Sequence, residues 1–71
     1  MTFNQLNIGD IFGSKSAKGR RFIKISNSKA CEIFESGNYS EDFRISEPND
    51  DYLFLIKAIF SKKQYVKALW S

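Results

Sequence analysis

The sequence predicts a mainly β protein, a small SH3-like five-stranded barrel filling one domain over residues 1–71, and three observations carry that expectation. Turn-forming residues recur at short intervals: Gly9-Asp10, Gly13 through Gly19, Ser26-Asn27-Ser28, Ser36-Gly37-Asn38 and Pro48-Asn49-Asp50. The runs between them are short and rich in Phe, Ile and Tyr, the spacing of strands in a small sandwich or barrel. The chain of 71 residues has room for a single core. A domain this small buries only about 60% of its unfolded surface. Its eleven aromatic residues compensate by supplying a large apolar area each.

Strands are expected near 9–13, 20–26, 30–35, 41–46 and 52–59. The first holds Ile11 and Phe12 between two glycines. In the second, Ile23 and Ile25 alternate with Phe22 and Lys24; in the third, Cys31 and Ile33 alternate with Glu32 and Phe34. A three-residue loop at Asn27-Ser28-Lys29 sets Ile25 opposite Cys31 and Ile23 opposite Ile33. The other face then pairs Lys24 with Glu32 and Phe22 with Phe34. Register follows such matching, because a slip of one residue inverts every side chain. Extending the pattern to the fourth strand places Phe43 against Ile33 and Ile45 against Cys31. An outer row Lys24–Glu32–Arg44 results, each opposite-charge pair contributing about 0.2–1 kcal/mol.

The fifth run, Tyr52 to Phe60, is almost wholly apolar and suits a strand buried on both faces. Its acidic start and basic end also suit a helix from about 50 to 70. The turn signal at Pro48-Asn49-Asp50 and the Tyr, Phe and Ile content favour the strand. Ser61-Lys62-Lys63-Gln64 has the form of a capping box. Tyr65, Val66, Leu69 and Trp70 then share one helical face, which predicts a short C-terminal helix, with a sixth strand as the alternative.

Leu6-x-x-Gly9-Asp10-x-Phe12, followed by Phe22-x-Lys24-x-Ser26 and Ala30, resembles short SH3-like β-barrel proteins of bacteriophages and bacteria. The resemblance spans roughly residues 6 to 56 and implies a small barrel. It implies no particular activity, since that group shares none.

Charge is sorted along the chain. Between Lys15 and Lys29 lie six basic residues and no acid; between Glu32 and Asp51 lie seven acids against Arg44 alone. From Tyr52 onward the only charged residues are lysines, and the net charge is +3. The absence of histidine removes the usual general base and the commonest metal ligand, so the protein is expected not to be an enzyme and to use no metal or cofactor. The lone Cys31 has no recognisable activator and fits a buried strand position in a reducing compartment. The polar N-terminal residues and the lack of a long apolar run predict a cytoplasmic protein without a membrane partner.

What remains is binding. The segment Gly13–Arg21 is small and basic but lacks the P-loop spacing. It suits general phosphate contact, with Lys15, Lys18, Arg20, Arg21 and Lys29 as contact residues and Lys62, Lys63 and Lys67 joining them. Phe22 between Arg20 and Lys24 offers a base-stacking position. The first expectation is therefore a nucleic-acid-associated module. The alternative is a protein-interaction module, such as a phage-type inhibitor or adaptor binding a host protein. Its candidate interface is Phe22, Phe34, Trp70 and the acids Glu41, Asp42, Asp50 and Asp51.

Overall fold

A computed structural model describes residues 1–58, and every structural statement below concerns these. A 3-10 turn, Phe3–Gln5, is followed by five strands: β1 (Ile11–Ser14), β2 (Ala17–Lys24), β3 (Lys29–Ile33), β4 (Phe43–Arg44) and β5 (Leu53–Lys57). All pairings are antiparallel, in the order β4-β3-β2-β1-β5. The mainly β expectation holds, and each of the five expected strands has its counterpart. They form one open sheet with β4 and β5 at its edges, and no pairing among the described residues closes it into a barrel. Leu53–Lys57 is a strand, so the alternative of a helix from about 50 is overturned there. The expected C-terminal helix, and Trp70 with it, lies outside the described residues.

The β2–β3 hairpin differs from its expected register by two residues: Ile23 faces Cys31, Phe22 faces Glu32 and Lys24 faces Ala30. The loop has the expected length but starts one residue earlier, at Ser26-Asn27-Ser28. Ser26 decides its position, because its hydroxyl accepts from the amides of Ser28 and Lys29 (3.3 and 3.0 Å) while the Ile25 amide donates to the Lys29 carbonyl. A hydroxyl that bonds forward in this way fixes a turn. A two-residue shift leaves every side chain on its own face, so apolar matching alone does not distinguish the two registers.

The β3–β4 register corrects the sequence reading more deeply. Ala30 faces Phe43 and Lys29 faces Arg44, an odd shift that turns Phe43 to the Phe22 side. There its ring meets Phe22 edge-on at 5.9 Å. Arg44 does not oppose Glu32, and the expected Lys24–Glu32–Arg44 row does not form.

Both faces of the sheet are apolar. The larger core gathers Phe3, Leu6, Phe12, Phe22, Ala30 and Leu53, with Ile45 and Tyr52 packed against it. Phe12 stacks on Phe22 at 5.6 Å and meets Phe3 edge-on at 5.8 Å. The opposite face holds a smaller cluster around Ile23 and Cys31. The face expected to be outer thus carries the larger core, and Lys24 lies in it with 4% exposure.

Lys24 is accommodated because its ammonium has somewhere to donate. Nζ bonds the carbonyls of Phe3 (2.9 Å) and Leu6 (2.8 Å) and sits 4.5 Å from the centre of the Phe3 ring. It thereby ties the N-terminal turn to the sheet, satisfying the Leu6 carbonyl and adding a second donor to the Phe3 carbonyl, which also accepts from the Leu6 amide. Burial pushes its pKa down, and the nearby Asp10 opposes that shift. Two glycines serve this architecture. Gly9 takes a positive φ of 100° where its amide reaches the Lys24 carbonyl at 2.7 Å. At Gly13 the Phe54 ring lies so close that an added Cβ would clash with it.

Candidate functional site

The larger core does not close over completely. Between the β1–β2 end of the sheet and the segment 40–45 lies an open groove of about 630 Å³. Its floor is apolar, built from Phe12, Phe22, Ile45 and Leu53. Phe22 is 8% exposed and belongs to the core, whereas Phe43 on the wall is 39% exposed. Local sequence explains the wall. The Ser40 hydroxyl accepts from the Glu32 amide (2.8 Å) and donates to the Glu41 carbonyl (2.9 Å), and the Ser40 amide donates to the Glu32 carbonyl (2.9 Å). One serine thus folds the acidic loop back onto β3 and holds Glu41, Asp42 and Phe43 over the sheet.

The opposite wall comes from an irregularity in β2. Phe12 faces Phe22 and Ser14 faces Ala17, so β2 spends five steps where β1 spends two. Such an insertion bends a strand and re-aims its side chains. Arg20, inside it, turns over the Phe22 ring at 5.4 Å and grips Glu32 with both Nε and an Nη nitrogen, the first at 2.9 Å. This two-pronged contact holds the Glu32 carboxyl below its usual range and raises the Arg20 guanidinium. The hydroxyls of Ser14 and Ser16 bond each other at 2.8 Å. At the Tyr52 end, Asp50 hydrogen-bonds Glu47 and adds like charge, pushing the Glu47 carboxyl up. Burial, followed by the charges of Glu47 and Asp50, raises the Tyr52 phenol.

The residues singled out in the sequence fall into distinct places. Arg20 lines the groove, but its charge is engaged by Glu32. Lys29, at the start of β3, is exposed and pairs with Asp42 at 3.3 Å. Lys15, Lys18 and Arg21 are exposed and form no ion pair among the described residues. Lys62, Lys63, Lys67 and Trp70 lie outside the described residues. Glu41 and Asp42 line the groove. Asp50 is exposed beside it, and Asp51 binds the N-terminal amine at 2.6 Å, which lowers its carboxyl pKa. Phe34 is exposed in the turn after β3, away from the groove lining.

Phe43, Ile45, Ser40 and Tyr52 did not stand out in the sequence as site residues, because the expected register aimed Phe43 and Ile45 at the other face. Cys31 is buried opposite Ile23, and burial raises its thiol pKa. The described residues hold no group of three or more side chains suited to a metal ion. No helix among them is long and apolar enough to cross a membrane. Comparison with protein-family models, curated proteins and solved structures finds no match.

Proposed function

We propose that the protein is a small non-catalytic binding module whose contact surface is the groove on the larger-core face, and that its partner is a protein. The observation that carries this reading is an apolar floor left open beside an exposed aromatic, Phe43, at the thinly paired edge of the sheet. Aromatic anchors in partly desolvated pockets are where protein interfaces concentrate their affinity. Within this reading the open meander is an SH3-like sheet whose two edge strands remain apart. Five short antiparallel strands and the Leu6–Phe12 turn support that likeness.

A nucleic-acid role draws less support from the same geometry. Phe22 is packed beneath Arg20 and Phe43, leaving no open face for a base to stack on. Arg20 and Lys29 are already paired with acids, which reduces the described basic contact set to Lys15, Lys18 and Arg21. Those three remain exposed, so the two readings separate at defined positions.

Photo-crosslinking from position 43 tests the proposal. A benzoylphenylalanine there should give a discrete adduct that protease removes and nuclease leaves intact, while the same probe at position 21 should give none. A nuclease-sensitive adduct, or equal adducts from both positions, would overturn it.

A further inference from the structure

Resting on the reading of the groove as a protein contact, we infer that it takes an extended partner segment in which a large apolar side chain is flanked by lysine or arginine. The molecule as a whole is basic, at +3, yet the groove is not. Its lining holds three acids, Glu32, Glu41 and Asp42, and one base, Arg20. Arg20 and Glu32 hold each other and Asp42 pairs with Lys29 outside the lining, so Glu41 is the lining charge left to meet a ligand. Glu41 is exposed and has no ion-pair partner among the described residues. At the far end the turn that carries Glu47 and Asp50, both exposed, leads by backbone bonds into Tyr52, which lines the groove. The described cations free of ion pairs (Lys15, Lys18, Arg21 and Arg44 among them) lie outside the lining.

The neutral polar groups point the same way. The Ser14 and Ser16 hydroxyls bond each other, and the Ser40 hydroxyl is engaged both as donor and as acceptor. The groove therefore presents apolar carbon below and carboxylates at the rim. An apolar side chain packs against Phe43, Ile45 and Tyr52 above the buried floor, while flanking ammonium or guanidinium groups meet Glu41 and the Glu47–Asp50 pair. Complementary charge of this kind sets register and rejects wrong partners more than it adds affinity. A volume of about 630 Å³ admits such a side chain together with the backbone that carries it. An acidic peptide or a phosphate backbone meets like charge at both ends.

Three short labelled peptides, titrated against the full chain by fluorescence anisotropy, test the inference. One has an aromatic-leucine centre with lysine flanks, one has the same centre with glutamate flanks, and one has a serine centre with lysine flanks. Only the first should bind appreciably. Glu41→Lys together with Asp50→Lys should weaken it by about tenfold or more, the loss of roughly 1.4 kcal/mol. Phe43→Ala should weaken it similarly, whereas Lys18→Glu with Arg21→Glu should not. All five positions are exposed, and an unchanged melting curve shows that each variant folds. If the glutamate-flanked peptide binds as well and Phe43→Ala releases it, the protein-binding groove stands and its charge preference is overturned. If the serine-centred peptide binds equally, or an oligonucleotide displaces the first peptide, or no peptide binds at all, the groove reading falls together with the inference.

Discussion

Lys24 shows how a single side chain does two jobs that look incompatible. It lies in the apolar core, yet its ammonium closes the N-terminal turn through the carbonyls of Phe3 and Leu6. Lys24→Met retains most of the volume but leaves the Leu6 carbonyl unpaired and takes one of two donors from the Phe3 carbonyl, so the variant should unfold about 1–3 kcal/mol more easily in urea. A variant as stable as the parent would show that water replaces the ammonium. Glu32 makes a separate prediction about pH. Its carboxyl pKa is lowered by Arg20, so as pH falls below the ordinary glutamate value the unfolded chain takes up the proton first. The stabilisation is complete above that value and is lost as pH falls through the lower, folded one. Asp51 at the N-terminal amine acts in the same direction, whereas the raised Glu47 acts against both. Glu32→Gln should therefore flatten the acid limb of a stability–pH curve without abolishing it. An unchanged acid limb would mean that Arg20 and Glu32 contribute nothing when folded.

Among the strands, β1 and β5 make the most specific demand on sequence. Gly13 gives up its side chain so that the Phe54 ring can lie across β1. Gly13→Ala must displace that ring, and overpacking of this kind costs typically 1–3 kcal/mol. In a Phe54→Ala background the same change should cost close to nothing, so a double-mutant cycle measures the contact. Additive effects would show that the glycine serves the backbone and not the ring. The β2–β3 hairpin shows what strand patterns reveal and what they hide. Alternation of Phe22, Ile23 and Lys24 against Ala30, Cys31 and Glu32 sorted every residue to its correct face. Its registration depended on the Ser26 hydroxyl, a local bond that apolar matching does not detect. β4 is harder to read, because two residues carry too little alternation to fix their own register. The Ser40 bonds to β3 position it instead.

Taken together, the fold leaves one sheet with two apolar faces, and the faces were legible while their ranking was not. A lysine and a glutamate on the Phe22 side made that side look solvated. In fact Lys24 is buried by bonding to carbonyls, and Glu32 is held at the groove wall by Arg20. The same misranking hid the site, since Phe43 and Ile45 belong to the side that seemed exposed. The charge blocks are partly internal accounting: Arg20 meets Glu32 and Lys29 meets Asp42. What remains is a division of the surface, with an acidic-rimmed apolar groove on one region and the free cations Lys15, Lys18 and Arg21 elsewhere. The most direct measurement of that division is the amide footprint of a bound partner, or of the lysine-flanked apolar peptide, on the nitrogen-15-labelled full chain. Shifts should concentrate on Ser14, Phe22, Ser40, Phe43 and Leu53 and spare Lys18 and Arg21. Shifts confined to Lys15, Lys18 and Arg21, with the groove amides unmoved, would contradict the account.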